Sequence, residues 1–255
     1  MPRIGARIAA GHGCRQGRGR LTQVRIRAAA TASRVDSRRS AAVPRTGQTD
    51  GGAVRGAILA AARSEFAARG LKGARVQAIA ERAGCNKQLL YYYFGSKDGL
   101  YRAALESVYA DIRAQEQGLE LGGLPPADAM AALVGFSFDY LAAHPEFIGL
   151  LNHENALGAP HVRASRAVRE TNSPLVDLIA STLRRGVADG LFRSGVDPVA
   201  LYISIAGMAY FFFSNRRTLE AVFARDLSAS GAVAGYRRHV VALAMAGLLR
   251  CGKGR

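Results

Sequence analysis

Residues 79–100 read IAERAGCNKQLLYYYFGSKDGL, and they decide the fold. An apolar spacing over Val76, Ile79, Ala80 and Ala83 marks a short helix that stops at Gly84. Glycine tolerates the positive φ of a sharp turn. Asn86 then stands where a helix N-cap is wanted, and a second short helix runs to Phe94. Ser96 caps a third start, with Asp98 in its first turn. Helix, tight turn, helix is the layout of a helix-turn-helix, whose second helix enters the DNA major groove. If Leu90 and Phe94 face a core, Lys87, Gln88 and Tyr91 face outward.

Those outward side chains suit a duplex. Lysine donates to guanine O6/N7 or to phosphate, and glutamine pairs with adenine through two hydrogen bonds. Leu89 offers an apolar contact for a thymine methyl. The hydroxyls of Tyr92 and Tyr93 donate to phosphate oxygens, and Lys97 adds charge at the next helix start. Tyr91 is divided evenly between DNA contact and core packing.

Working outward, the spacing Val54, Ile58, Ala62, Phe66 predicts a leading helix ended by Gly70. After Ser96 an apolar stripe runs Tyr101, Ala104, Leu105, Val108, Ile112. Residues 118–126 (GLELGGLPP) read as a linker. Further helices are predicted at 127–143, 146–156, 160–171, 174–189, 197–214, 216–224 and 229–250. Two of these start at a cap residue followed by proline, Ser173-Pro174 and Asp197-Pro198. No strand of useful length is expected, so the class is all-α: a three-helix helix-turn-helix domain and a larger helical domain. The expected divisions are an Arg-rich disordered extension at 1–49, a DNA-binding domain at 50–97 and a C-terminal domain at 98–250.

The net charge of +16 fits a polyanionic partner, but it is unevenly placed. Residues 1–48 hold eleven arginines against a single acid, Asp36, whereas the rest carries 24 basic against 18 acidic residues. A non-specific DNA binder driven by that extension is therefore one alternative reading. Cys14, Cys85 and Cys251 are too scattered for a disulfide framework or zinc site. Cys85 reads as a small apolar packing residue. The longest apolar run, 199–213, is shorter than the roughly 20 residues of a membrane span, so no membrane partner is expected. No catalytic triad, paired-carboxylate or phosphate-loop signature stands out, which argues against an enzyme. His144, His153 and His161 lack metal-ligand spacing, and neither metal nor cofactor is expected.

With ILAAARSEFAARG, IAERAGCNKQLLYYYFGSK and DGLYRAAL in place, residues 54–105 resemble the N-terminal domain of the TetR family of transcriptional regulators. Residues 190–198 (GLFRSGVDP) also resemble a turn of its C-terminal domain. The resemblance implies a bacterial regulator in the cytoplasm, on the nucleoid through its DNA. It implies a homodimeric repressor released from a palindromic operator by a small-molecule ligand, with an activator or a ligand-independent regulator as alternatives. It places DNA contacts on Gln77, Lys87, Gln88, Leu89, Tyr91, Tyr92, Tyr93 and Lys97. Where the family usually has a capping Thr or Ser before the bracing helix, this chain has Arg75, which can reach phosphate but cannot cap.

Two expectations concern the larger part. The helix near 197–214 is apolar almost all round, and such a helix needs cover on every side. Paired with the last helix across a two-fold axis, it would form a four-helix dimer bundle. The expected interface is Tyr202, Ile205, Ala209, Phe213, Tyr236, Val240, Leu243 and Gly247. For an apolar ligand pocket, the gathered aromatic residues suggest Phe136, Tyr140, Phe147 and Phe212, with His153 as a polar anchor.

Overall fold

Eleven α-helices build the described part of the chain, residues 51–250, in a computed structural model. The expected 1–49 extension, Cys14 and Cys251 lie outside the described residues. The first four helices are α1 (Gly51–Gly73), α2 (Val76–Ala83), α3 (Lys87–Phe94) and α4 (Lys97–Gln117). Within α1, Gly70 leaves helical geometry at φ 66°, ψ 177°, so the regular helix ends there as the sequence predicts. A short 3-10 turn, Leu121–Gly123, precedes α5 (Pro126–Ala143), α6 (Pro145–Ala156), α7 (Pro160–Ala164) and α8 (Arg166–Ala188). Then follow α9 (Pro198–Ser214), α10 (Arg216–Phe223) and α11 (Ser230–Leu248). Among the described residues, extended pairing is confined to a bridge between Phe192 and Leu249.

The predicted break before Pro174 does not occur. Helix α8 starts at Arg166 and continues through Pro174. Its cap is Ser165, which accepts from the Val168 N–H at 3.2 Å and donates to Glu106 at 2.7 Å. Proline mid-helix removes one hydrogen bond and crowds the preceding turn. Pro174 and Glu170, whose carbonyl loses its donor, are both exposed. On the opposite face Val168, Leu175, Ile179 and Leu183 are buried, and that burial offsets the local cost. A cap-proline pair is a local signal, and here tertiary packing overrides it.

One buried cluster runs from Ile58 on α1 to Leu248 on α11. Helix α1 packs on α2, on α4 and on α6, so the reading head and the larger body share apolar contacts. Phe66 of α1 meets Tyr101 of α4 edge to face, with ring centres 5.0 Å apart. At the α1–α6 seam Gly149 lies so close that a Cβ there would sit 2.7 Å from the Ala67 carbonyl oxygen. The expected division between residues 97 and 98 falls in the first turn of α4, whose later residues belong to the body's core.

Candidate functional site

The reading head is held by caps at three successive joints. Gly84 ends α2 at φ 66°, ψ 31°. There the Gly84 N–H reaches Glu81 O at 3.2 Å and the Cys85 N–H reaches Ala80 O at 3.0 Å, the paired bonds of a Schellman turn. Asn86 Oδ1 accepts from the Leu89 N–H at 2.8 Å, and Ser96 Oγ accepts from the Gly99 N–H at 2.9 Å. Leu90, 2% exposed, anchors α3 from below. Cys85 is half-buried against the core, and burial pushes its thiol up.

With Leu90 inward, Lys87, Gln88, Tyr91 and Tyr92 are exposed, and Tyr92 most of all at 81%. Lys87 Nζ hovers 5.8 Å from the Tyr91 ring centre. Leu89 and Tyr93 are half-buried, and Tyr93 packs edge to face on Tyr92. Phe94 lies under Arg55, whose guanidinium is 5.4 Å from its ring centre. Lys97 is half-buried and donates to the Lys72 carbonyl at 3.2 Å. Gln77 is exposed and donates to Glu81 at 3.0 Å. All nine expected contact residues therefore fall on α2, on α3, just before α2 or, for Lys97, at the first position of α4.

Arg75 precedes α2 without a side-chain cap bond. Its backbone N–H instead donates to Glu65 Oε1 at 3.2 Å. Glu65 is 4% exposed and also pairs with Arg69 at 3.2 Å and Arg82 at 3.8 Å. The sequence reading missed Glu65, since an acid beside Phe66 on an amphipathic helix looks like an ordinary solvated position. It supplies from α1 an acceptor that the bracing helix lacks locally.

A second polar joint ties the body to the start of α4. Glu154, 1% exposed on α6, accepts from the backbone N–H groups of His161 at 2.7 Å and Val162 at 3.0 Å. Its other oxygen lies 2.9 Å from His161 Nδ1, and His161 Nε2 lies 3.2 Å from Asp98 Oδ1. Burial pulls the His161 pKa down, but the two carboxylates outweigh it and hold it above its ordinary value.

Between α4, α5, α6 and α9 lies a cavity of about 290 Å³. Its wall includes Tyr109, Arg113, Phe147, Asn155, Tyr202 and Tyr210. Of the five residues expected to bind ligand, Phe147 lines it and the other four lie elsewhere. Phe136 packs on Tyr140, which stacks on His144 and donates to Asp111 at 2.9 Å. Phe212 stacks on Tyr236 with ring centres 4.3 Å apart. His153 faces α1, where a Cβ on Gly70 would lie 2.9 Å from its Nδ1. Aromatic density alone does not tell a wall from a core. Arg113 escaped notice because a charged residue on a long helix reads as solvated. Among the described residues no group of three His, Cys, Asp or Glu side chains is placed to hold a metal ion, and no single helix is long and apolar enough to cross a membrane.

The expected interface set divides in three, with Tyr202, Phe213 and Tyr236 half-buried. Ile205, Ala209 and Val240 are each 1% exposed within the single chain, so they pack its own core and have no surface left for a partner. Leu243 and Gly247 are exposed, and on α9 so are Ile203 and Phe211, at 63% and 56%.

Two family descriptions match the chain: "Bacterial regulatory proteins, tetR family" over residues 58–104, and "Tetracyclin repressor-like, C-terminal domain" over residues 126–243. The chain is 37% identical over 193 residues to the HTH-type transcriptional repressor NicS of Pseudomonas putida, a match covering 76% of this chain and 91% of that protein. It is 29% identical over 143 residues to the repressor KstR2 of Rhodococcus jostii, covering 55% and 68% respectively. The crystal structure of SCO4942 from Streptomyces coelicolor aligns with a TM-score of 0.59 at 29% identity, over 76% of this chain and 98% of that one.

Proposed function

Because the chain belongs to the TetR family and is a DNA-binding transcriptional regulator, we propose that it is a homodimeric, ligand-released repressor. Helix α3 supports this: it is capped by Asn86, anchored by Leu90 and turned outward at Lys87, Gln88 and Tyr92. Gln88 reads a base edge, and Lys87 contacts guanine or phosphate. Leu89 meets a thymine methyl, while Tyr91, Tyr92, Tyr93, Arg75, Gln77 and Lys97 fix the head on the backbone. Residues 50–97 act as the head and 98–250 as the body, and the protein works in the bacterial cytoplasm on nucleoid DNA.

The exposure of Ile203 and Phe211 on α9 and of Leu243 on α11 supports a dimer formed by these two helices, because large apolar side chains left open in the single chain can be covered by a second copy. A two-fold pair offers two copies of α3 to half-sites about one helical turn, or a multiple of it, apart on a palindromic operator.

Helix α6 supports the ligand response. Phe147, Leu151 and Asn155 reach the cavity, whereas Gly149 and His153 abut α1 of the head. A molecule in the cavity bears on α6, and α6 bears on α1. The switch requires that ligand binds more tightly to the DNA-released arrangement, since a ligand with no preference shifts nothing. Selection of bound sequences from random DNA by the purified full chain tests the core of this reading. A palindromic consensus is expected; enrichment of no sequence overturns it.

A further inference from the structure

Arg113 is the anomaly of the body. It is 5% exposed on α4, in the cavity wall, and Glu116 Oε2 lies 2.6 Å from its Nη1. Yet neither Nε nor Nη1 makes a hydrogen bond of acceptable geometry. A guanidinium carries five N–H donors, and leaving those on Nε and Nη1 without a well-aligned acceptor in a desolvated site costs free energy. Glu116 is an imperfect counterion: it is 5% exposed, and burial pushes its carboxyl up, toward the neutral form.

We propose that the cavity takes a small, flat carboxylic acid, with its carboxylate on Arg113 and its ring among Tyr109, Phe147 and Tyr202. This rests on the effector-cavity reading above and adds the chemical class. The volume of about 290 Å³ lies at the lower end of ligand cavities, which suits a single ring or short chain. Tyr109 and Phe147 meet edge to face at 5.6 Å and present aromatic surface to a planar body. The guanidinium sits 5.9 Å from the Tyr202 ring centre, within cation–π reach of a ring that also lines the cavity. Burial pushes the Tyr109 hydroxyl up to about 12, so the side chain stays uncharged and does not repel an anion. One buried guanidinium matches a monoanion, because planar carboxylate and planar guanidinium pair through two parallel bonds.

The test is calorimetric titration of the full-length protein with benzoate and phenylacetate, each against its uncharged amide, benzamide and phenylacetamide. At least one acid is expected to bind about tenfold or more tightly than its amide, the scale of a charge-assisted bond. Arg113→Gln, checked for wild-type helicity, is expected to erase that preference while Glu116→Gln keeps it. Equal affinity of every acid and its amide, or no acid binding, overturns the proposal, as does a preference that survives Arg113→Gln. Operator binding measured in parallel without ligand separates the two readings. If it is intact, failure of the acid preference counts against the ligand class alone.

Discussion

The head and the body use opposite faces of their helices. In the head the side chains proposed to meet DNA, Lys87, Gln88 and Tyr92, are exposed, and the scaffold beneath them is closed by short-range caps. In the body Arg113, Tyr109 and Glu154 are half-buried or buried, and Arg113 and Tyr109 meet Tyr202 of α9 and Phe147 of α6 across the helix packing. A surface site needs only a rigid local frame, whereas an internal site exists only once four helices have met. The two are joined by α6, which carries cavity residues on one side and the glycine seam against α1 on the other.

The largest expected effect removes the pairing of heads. Phe211→Glu combined with Leu243→Glu puts charge on side chains exposed in the single chain. Sedimentation should then report monomers, and gel shift should report loss of operator binding although α3 is untouched. Next is the seam. Gly149→Val drives a side chain into the Ala67 backbone, and overpacking of this kind costs about 1–3 kcal/mol. Chemical denaturation should show that loss, together with weakened operator binding.

Within the head, Gln88→Ala should cost about 1–3 kcal/mol of operator affinity and relax preference at one base. Lys87→Ala, if its contact is to phosphate, should weaken all sequences alike and flatten the salt dependence. Sequence selection and salt-titrated gel shift distinguish these outcomes. The caps come next: Asn86→Ala should destabilise by about 1 kcal/mol, and Arg75→Thr should recover a similar amount by adding the missing cap.

The smallest effect is a pH trend. The His161 pKa is held above its ordinary value, so protonated His161 is favoured in the folded chain. Its stabilisation is complete below the unfolded value, near 6.5, and is lost as pH rises through the folded value. The melting-temperature difference between wild type and His161→Gln should therefore shrink between about pH 5.5 and about pH 8.5. A constant difference would remove the charged bridge between Glu154 and Asp98.

Legibility in the sequence follows the same division. Gly84, Asn86 and Ser96 sit within five residues of the groups they satisfy, so a linear reading finds them. Glu65 serves Arg75 from ten residues away, across a turn, and nothing in its own neighbourhood marks it. Pro174 shows a local rule losing to a buried face. Phe136, Tyr140 and Phe212 show the limit of composition: aromatic residues that pack one another and those that leave a hollow look alike in a string.

The order of letters was enough to specify an all-helical chain with a helix-turn-helix, because periodicity, capping and turn chemistry act over one or two turns of backbone. Which apolar faces stay bare, which aromatic residues enclose empty space and which buried cation is left short of partners were decided by assembly. Those properties belong to gaps between helices, and the size of a gap depends on every side chain around it.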